Sequence, residues 1–348
     1  MNKKVLLGMS GGVDSSVAAI LLKEQGYEVI GATMKLYGNR TQNNIIVNDA
    51  KKVCDSLGIQ HYVLNFENEF EKYVIKDFID SYIKCNTPNP CIECNKHIKF
   101  DALYKKSLEL GCDFISTGHY AKIEFNELYK QYVIKKSHSE KKDQTYFLYG
   151  IKKQVLEHII FPLGDFKDKQ EIREIAQKYD LKIAKKPDSQ EVCFIPDNDY
   201  TTFLEKNSNS LQHQGEITTK QGKILGRHKG LIYYTVGQRK GIGVSFEKPL
   251  YVIKLDNINN RLIVGTEDEL YSNKLNATCL NYLLDTITKS TRVTAKIRYR
   301  SKEAPAELTP IGENRVNVKF DEPQRAITPG QSVVFYLEDI LLGGGKII

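Results

Sequence analysis

The chain has 348 residues, a length that is too great for one compact core and predicts two or three domains. Hydrophobic residues make up 41% of it and charged residues 27%, a balance that excludes a disordered or fibrous protein. The net charge is +7, of which +6 falls on residues 201–348 together with eight of the ten arginines. The guanidinium group of arginine can bind a phosphate through two parallel hydrogen bonds. This second part is therefore a candidate for binding nucleic acid, with a solvated basic surface as the alternative.

The first 200 residues alternate short apolar runs with helix-like segments. Strands are predicted at Val5–Met9, Glu28–Met34, His61–Asn65 and Phe114–Gly118. Helices are predicted at Ser16–Gln25, Asn48–Leu57, Glu69–Lys84 and 98–110. Strands that alternate with helices of this length predict an α/β fold with a doubly wound parallel sheet.

From about residue 205 the pattern changes to short β-branched and aromatic runs. A polar, linker-like stretch at 207–210 precedes them. Strands are predicted at Leu231–Val236, Leu250–Leu255, Leu262–Gly265, Arg292–Tyr299, Arg315–Phe320 and Ser332–Leu337. Six strands with no convincing helix between residues 212 and 348 predict small β domains or a β-barrel.

Hydropathy and cysteine content predict where the protein works. No stretch of 18 apolar residues occurs, which predicts no membrane-spanning helix and no membrane partner. The N-terminus turns polar after a short apolar run and is not predicted to be a signal peptide. Seven cysteines without an export signal then predict a reducing, cytoplasmic location, where clustered cysteines serve redox chemistry, catalysis or metal binding.

A loop of small residues lies between the first predicted strand and the first predicted helix. Its glycines allow a tight turn that brings backbone N–H groups close to an anion, and the helix adds its positive N-terminal end. The loop lacks the Gly-Lys-Ser/Thr of a Walker A motif and the Gly-x-Gly-x-x-Gly of a dinucleotide fold. It predicts a phosphate site formed by Gly8, Met9, Ser10, Gly11, Gly12, Val13, Asp14 and Ser15.

Two cysteines, Cys94 and Cys193, stand apart from the other five. We expect a helix to begin near Asn95, so that its N-terminus and the nearby cations favour the thiolate form of Cys94. Cys91 and Cys94 form a Cys-x-x-Cys pair, but the sequence has no second pair at zinc spacing, and no metal site is predicted. Cys193, beside Phe194, by itself has the pattern of a buried strand cysteine.

Several motifs follow one another in a specific order. The first 200 residues contain Ser-Gly-Gly-Val-Asp-Ser (10–15), Asn-Pro-x-x-x-Cys-Asn-x-x-Ile-Lys-Phe (89–100), Ser-Thr-Gly-His-Tyr (116–120), Lys-Asp-Gln-Thr-Tyr-Phe-Leu (142–148) and Asp-Ser-Gln-x-x-Cys-Phe-Ile (188–195). Farther on are Gly-Arg-His-Lys-Gly (226–230), Ala-Lys-Ile-Arg-Tyr-Arg (295–300) and Pro-Gly-Gln (329–331). Together they resemble the bacterial tRNA-specific 2-thiouridylases, a family of N-type ATP pyrophosphatases with a PP-loop.

The resemblance implies a PP-loop catalytic domain at 1–205, a central β-rich tRNA-contacting domain at 206–272 and a C-terminal β-barrel at 273–348. It implies that ATP with Mg²⁺ adenylates the C2 oxygen of the wobble uridine (position 34) of tRNA. A persulfide on Cys193, supplied by a cysteine-desulfurase-derived sulfur donor protein, would then transfer sulfur, with Cys94 as its partner cysteine. AMP and pyrophosphate are the other products that the resemblance implies.

Further residues acquire implied roles because they match the family's motifs. Binding of ATP is implied for the loop from Gly8 to Ser15 and for Met34 and Gly118. Contact with the target base is implied for Asn89, Pro90 and Cys91. Contact with tRNA is implied for His119, Lys142, Asp143, Gln144, Arg298, Tyr299 and Gln331.

Cys91 departs from the family pattern, which has aspartate at this position. It could be inert, form a disulfide with Cys94, or join Cys94 and Cys193 in holding an iron–sulfur cluster whose sulfide replaces the persulfide. We favour the persulfide, because Cys94 and Cys193 suffice for it.

Two other classes of protein remain open at this point. A different PP-loop enzyme, such as an amide-forming synthetase or another tRNA thiolase, would form AMP and pyrophosphate without needing Cys94 or Cys193. An RNA-binding protein with a metal knuckle at Cys91 and Cys94 would not need the phosphate loop.

Overall fold

Three β-sheets organise the chain: a parallel sheet of five strands, a sheet of four strands and a sheet of eight strands. The computed structural model describes residues 2–38, 40–181, 183, 192–195, 199–208 and 213–348. The Asp188-Ser189-Gln190 part of the last cysteine motif and Asn209-Ser210 of the linker lie outside these residues. Within the described residues, no helix has both the length and the apolar character needed to cross a membrane.

The parallel sheet belongs to the N-terminal part of the chain. Its strands are β1 (Lys4–Gly8), β2 (Glu28–Lys35), β3 (Gln60–Asn65), β4 (Phe114–Ser116) and, after a hairpin of β5 (Lys122–Asn126) and β6 (Gln131–Lys135), β7 (Ile159–Ile160). Their order is β3-β2-β1-β4-β7, and every pair is parallel. The α/β prediction and its first four strands are confirmed, because runs of aliphatic and β-branched residues suit strands that are covered on both faces.

Helices connect these strands. They are α1 (Val13–Glu24), α2 (Arg40–Leu57), α3 (Glu67–Phe70) continued by a π-helix (Glu71–Ile75) into α4 (Lys76–Ile83), α5 (Pro90–Cys94) continued by a π-helix (Asn95–Ala102) into α6 (Leu103–Glu109), α7 (Lys169–Lys178) and α8 (Tyr200–Asn207), with 3₁₀ turns at Thr145–Phe147 and Lys153–His158. Helix α2 begins eight residues before its predicted start. Residues 40–47 are rich in types with low helix propensity, so their sequence pattern did not indicate a helix.

Both faces of the parallel sheet are covered by apolar packing. On one face Leu7 of β1 belongs to a cluster that includes Val17 of α1 and Ile172 of α7. On the other face Leu6 belongs to a cluster that includes Phe100, in the helical segment that follows α5. Successive side chains of a strand point to opposite faces, so neighbouring residues of β1 join two different cores.

The central sheet consists of β8 (Gly215–Thr219), β9 (Ile224–His228), β10 (Tyr251–Asp256) and β11 (Arg261–Gly265), in the order β10-β11-β8-β9. The predicted strand at Leu231–Val236 is wrong: the chain forms a 3₁₀ turn at Leu231–Tyr233. Leu231 and Tyr234 are buried against the same sheet, and this burial explains why an apolar run there is not a strand. A further 3₁₀ turn covers Glu267–Leu270.

The C-terminal sheet closes into a barrel, as predicted. Its strands are β12 (Tyr271–Tyr282), β13 (Thr291–Lys296), β14 (Ala304–Pro310), β15 (Arg315–Arg325), β16 (Ser332–Leu337) and β17 (Ile340–Ile347). They follow the order β12-β15-β14-β13-β16-β17, and β17 pairs back with β12. Closure leaves no free edge between the first and last strands.

The hairpin of β5 and β6 leaves the parallel sheet and extends this C-terminal sheet. Strand β6 pairs with β17 at Lys135 and Ile340, and the next residue, Lys136, forms an ion pair with Glu303 at 2.7 Å. The sequence did not predict this hairpin. The domain boundaries predicted from the sequence remain a prediction, but one sheet joins residues 122–135 to residues 271–347.

Phe194 anchors the short described segment 192–195 in the core. Its ring centroid lies 5.7 Å from that of Phe70 and 5.3 Å from those of Phe78 and Phe203, and the residue is 3% exposed. Edge-to-face pairs of this kind stabilise a core beyond the apolar area that they bury. The neighbouring Cys193 is held in place by this anchor.

We expect Phe194→Ala to lower the free energy of unfolding by about 3–5 kcal/mol, because it leaves a cavity among four aromatic rings, those of Phe70, Phe78, Phe203 and Tyr37. Phe125→Ala is the matched control, since Phe125 lies on β5 and is 47% exposed. It should change stability by less than about 1 kcal/mol. Urea unfolding measures both variants, and equal losses would contradict the anchoring role.

Candidate active site

The loop after β1 lies where the strand order of the parallel sheet reverses, with β2 on one side of β1 and β4 on the other. Ligands of open parallel sheets bind at this point, beyond the carboxyl ends of the strands. Gly11 has a φ of +67°, which favours glycine, and Ser15 Oγ lies 3.2 Å from both N and Oγ of Ser10. Helix α1 has no side-chain cap, so its first N–H groups remain for an anion.

A second strand end meets this loop. Gly118 follows β4, and a Cβ at this position would lie 2.9 Å from the backbone N of Ser15. The absence of a side chain therefore lets the two loops touch. Met34 of β2 places its Cε 3.5 Å from where a Cβ of Gly8 would lie. The residues predicted to bind ATP thus converge at one edge of the sheet.

Two partners of the loop were not predicted from the sequence. Asp14 accepts a hydrogen bond from the hydroxyl of Tyr120 at 2.8 Å and pairs with Lys169 Nζ at 2.5 Å. Lys169 is the first residue of α7, whose N-cap Asp168 accepts from two backbone N–H groups. The sequence carries a helix-start signal at Asp168 but nothing that indicates which carboxylate Lys169 would meet.

The helix that carries Cys94 begins earlier than predicted. Helix α5 starts at Pro90, with Asn89 as its N-cap, whereas the sequence pattern predicted a start near Asn95. Proline breaks a helix interior but is favoured in the first turn, where its missing N–H costs nothing. Cys91 therefore lies in the first turn and is exposed, while Cys94 lies one turn later and is 8% exposed.

A π-helix follows Cys94 directly and runs from Asn95 to Ala102. In an α-helix, residues five apart point about 140° away from each other. In a π-helix, which has i→i+5 hydrogen bonds and more residues per turn, they lie closer to the same face. The π-helix thus brings Lys99 toward the face of Cys94, and π-helical segments are frequent at functional sites.

Burial dominates the ionisation of the three thiols at this site. It raises the pKa of Cys94 to about 12, although the charge of Lys99 lowers it; Cys193 and Cys91 add to the increase. Burial also raises the pKa of Cys193 to about 11, and it raises that of Cys91. Cys91 and Cys193 keep exposed surface, but crowding by protein atoms still disfavours their thiolates.

The expectation that Cys94 favours the thiolate is therefore wrong for the protein without substrate, because loss of water outweighs the nearby cation. Cys193 and Cys91 both raise the pKa of Cys94, and Cys91 raises that of Cys193, as expected for thiols that the fold places near one another although 99 residues separate Cys94 from Cys193. All three are free thiols. Among the described residues, no three Cys, His, Asp or Glu side chains group closely enough to hold a metal ion, so we derive no step through a cluster.

The residues of the first domain that were predicted to contact tRNA make their contacts within the protein. His119 is 8% exposed, its Nδ1 lies 2.7 Å from the hydroxyl of Thr117, and burial together with Lys99 holds its pKa well below the usual range. The buried carboxylate of Asp143 accepts from the Ser137 N–H and the Thr145 hydroxyl. The side chain of Gln144 accepts from the backbone N–H of Tyr120, and Lys142 is half-buried.

The predicted tRNA contacts of the barrel also bond within the protein. Arg298 Nη2 donates to the carbonyls of Val236 and Ala326 and to Thr328, which ties the barrel to the central domain. Tyr299 packs 4.4 Å from the ring of Phe147. The amide of Gln331 donates to two carbonyls of the segment before α5. Direct contact of these residues with tRNA remains a prediction, and their protein contacts supply a structural role.

The chain matches known proteins along its whole length. Residues 3–197 match a family model described as a tRNA methyl transferase HUP domain, 201–266 a tRNA methyl transferase PRC-barrel domain, and 272–347 an aminomethyltransferase beta-barrel domain. The tRNA-specific 2-thiouridylase MnmA of Clostridioides difficile (strain 630) is 50% identical, covering 100% of this chain and 98% of its own. The chain belongs to the tRNA-specific 2-thiouridylase family.

A second member of the 2-thiouridylase family, the MnmA of Acetivibrio thermocellus, is 49% identical over 99% of this chain and 99% of its own. Among solved structures, a 4-thiouridine synthetase in complex with RNA and ATP overlaps with a TM-score of 0.39 and 20% identity. That overlap covers 59% of this chain and 50% of the other, which is too loose to support a conclusion.

The raised thiol pKa values predict how Cys193 reacts with iodoacetamide in the free protein. We expect its alkylation rate to rise about ten-fold per pH unit from pH 7 to pH 10, because the reactive thiolate stays the minor form. Lys99→Met should lower the rate at pH 8 about five-fold, the effect of roughly 1 kcal/mol of charge attraction.

Lys96→Met is the control, because Lys96 is an exposed lysine of the same π-helix. Mass spectrometry of the Cys193 peptide measures the rates. A rate that levels off below pH 9, or equal rates in the two lysine variants, would contradict this account of the site.

Proposed function

We propose that this chain makes 2-thiouridine at wobble position 34 of tRNA by activating the uracil C2 oxygen with ATP and transferring sulfur through Cys94 and Cys193. Identity of 50% over the full length of a tRNA-specific 2-thiouridylase supports the reaction class. The mechanism is supported above all by the convergence of two distant cysteines beside a phosphate loop. The charge of one residue, Lys99, lowers the pKa of Cys94, of Cys193 and of His119. His119 directly follows Gly118, which contacts the phosphate loop.

The first step replaces a poor leaving group with a good one. The C2 oxygen of uracil attacks the α-phosphorus of ATP, the bond to the β-phosphate oxygen breaks, and pyrophosphate leaves. The helix α1 N-terminus and the hydroxyls of Ser10 and Ser15 are suited to hold the departing pyrophosphate. Mg²⁺ would accompany ATP, and Asp14 is the loop's carboxylate.

The second step forms the carbon–sulfur bond. The outer sulfur of a Cys193 persulfide attacks C2, and AMP leaves with the former C2 oxygen. The Cys94 thiol then attacks the inner sulfur, so that the S–S bond breaks, sulfur stays on C2 and a Cys94–Cys193 disulfide forms. A thiol reductant restores the enzyme, and a cysteine-desulfurase-derived donor protein supplies the next persulfide sulfur.

The substrate is a tRNA whose target uridine leaves its stack, as enzymes that act on bases require. The positive charge of residues 201–348 supports contact with the tRNA backbone. All seven cysteines are free thiols, which is consistent with work in the reducing cytoplasm. An amide-forming PP-loop synthetase is not favoured, because its reaction would not use the thiols of Cys94 and Cys193.

The phosphate loop is tested by Asp14→Ala and Ser10→Ala. We expect either change to lower tRNA-dependent pyrophosphate release about 100-fold, because Ser10→Ala removes a hydroxyl donor of the loop and Asp14→Ala removes the carboxylate that holds Lys169 beside it. Asp80→Ala is the control, since Asp80 is an exposed carboxylate of α4. Normal pyrophosphate release by both loop variants would rule out the proposed activation step.

The thiols are tested by Cys94→Ser and Cys193→Ser. Serine keeps the size of the side chain but cannot carry a persulfide or close a disulfide, so 2-thiouridine should disappear from tRNA while pyrophosphate release continues. Cys279→Ser is the control, because Cys279 is an exposed thiol of the barrel. Mass spectrometry of tRNA nucleosides measures the product, and 2-thiouridine made by either active-site variant would overturn the sulfur-transfer step.

Cys91→Asp tests the iron–sulfur alternative. This change restores the residue that the family pattern has at this position, and the persulfide mechanism predicts that thiolation continues. A cluster held by three thiolates would lose a ligand, and thiolation would then follow the iron content of anaerobically purified protein.

A further inference from the structure

The C-terminal barrel makes two contacts with the part of the chain around α5, the helix of Cys94. The loop between β15 and β16 makes the first of them, with the residues just before α5. The backbone N–H of Thr87 donates to the carbonyl of Pro329 at 2.9 Å, and the Gln331 amide donates to the carbonyls of Thr87 (2.9 Å) and Pro88 (3.2 Å). A Cβ at Gly330 would lie 2.7 Å from Asn86, so the two segments are in close contact. This contact fixes the approach to α5.

A second contact is ionic and reaches α5 itself. Lys346 of β17 places its Nζ 2.9 Å from Oε1 of Glu93 and 3.1 Å from Oδ1 of Asp77, on α4. Glu93 lies between Cys91 and Cys94, and its side chain is 11% exposed, against 33% for Asp77. One barrel lysine therefore joins β17, α4 and the helix of the reacting cysteine.

The other oxygen of Glu93 is held from within the catalytic domain. Oε2 lies 3.5 Å from Nε2 of His97, whose ring stacks on Tyr73 at 4.4 Å with an interplanar angle of 9°. Burial alone would raise the pKa of Glu93, but the hydrogen bond with His97 and the charge of Lys346 lower it to about 2. The carboxylate is therefore charged at neutral pH and bonded at both oxygens.

We propose that Lys346 is a positioning residue for sulfur transfer, because its pair with Glu93 fixes the orientation of α5 and thereby the direction of Cys94. The inference rests on the proposed function. Helix α5 is the N-terminal end of a helical segment that continues to Glu109, so the position of this end depends on contacts from outside the segment, among them the pair of Lys346 with Glu93. Without Lys346, the buried carboxylate of Glu93 would turn toward water, and the adjacent Cys94 would turn with it.

A small rotation is enough to reduce the rate. Sulfur transfer requires Cys94 to reach one sulfur atom of Cys193, and displacement of a reacting group by about 1 Å can lower a rate 100-fold. ATP binding and the activation step do not use Cys94 and would keep their rates. The barrel is then part of the active site as well as a candidate tRNA-binding surface.

The test compares Lys346→Gln with Lys346→Arg in the full-length protein. We expect Lys346→Gln to lower kcat for 2-thiouridine formation at least ten-fold, with KM for tRNA and the rate of pyrophosphate release within about two-fold. Lys346→Arg should keep at least half of kcat, because it keeps the ion pair with Glu93. Urea unfolding of each variant gives the folded fraction at the assay temperature.

Two further variants separate positioning from general effects. Lys319→Gln removes an exposed barrel lysine, and Asp77→Asn removes only the outer partner of Lys346; both should keep at least half of kcat. The inference is overturned if Lys346→Gln keeps kcat within two-fold, if its loss matches the loss of folded protein, or if Lys319→Gln loses as much. If the unaltered chain forms no 2-thiouridine, the proposed function itself fails instead.

Discussion

The active site depends on one steric constraint: the turns that follow β1 and β4 must touch. Gly118 meets the backbone of Asp14 and Ser15 at a distance that no side chain fits. The contact brings the phosphate loop beside the turn that carries His119, and the ring of His119 packs 5.8 Å from Phe100, in the helical segment that continues from Cys94. The candidate phosphate loop and the helical segment that carries Cys94 are therefore linked by contacts that run from Gly118 through His119 to Phe100. A larger residue at 118 would separate them.

Local patterns predicted the parts of the fold that depend on local physics. The four strands with continuous aliphatic runs and the glycine loop were predicted from the sequence, because neighbours along the chain specify them. The strand pattern of the C-terminal part left small β domains or a barrel open, and the resemblance to a known family implied the barrel. The start of α5 was missed: the sequence pattern predicted it near Asn95, whereas Pro90 is the first residue of the helix, a position that proline favours. The run at 231–236 was misassigned because an apolar loop and a buried strand have the same hydropathy.

Long-range pairs of charged residues could not be predicted in the same way. Lys169 meets Asp14 across 155 residues, and Lys346 meets Glu93 across more than 250. The partner of a lysine depends on how helices and strands pack against one another, and the local periodicity of the sequence does not indicate this packing. The ionisation of Cys94 was misjudged for a related reason: its cationic neighbours are visible in the sequence, but its burial is a property of the tertiary fold.

The hairpin of β5 and β6 makes the parallel-sheet part and the barrel interdependent for folding. Strand β17 already pairs with β12 and β16, and it meets β6 at the pair of Ile340 with Lys135. Residues 122–135 are synthesised long before β17, so β6 has no barrel neighbour until the last residues of the chain arrive. During synthesis on the ribosome the hairpin therefore presents an unpaired edge strand, a surface prone to association with other chains. Truncations placed at an apparent domain boundary would make that exposure permanent. A recombinant fragment that ends near residue 205 should for this reason be expected to aggregate, even though its parallel sheet is complete.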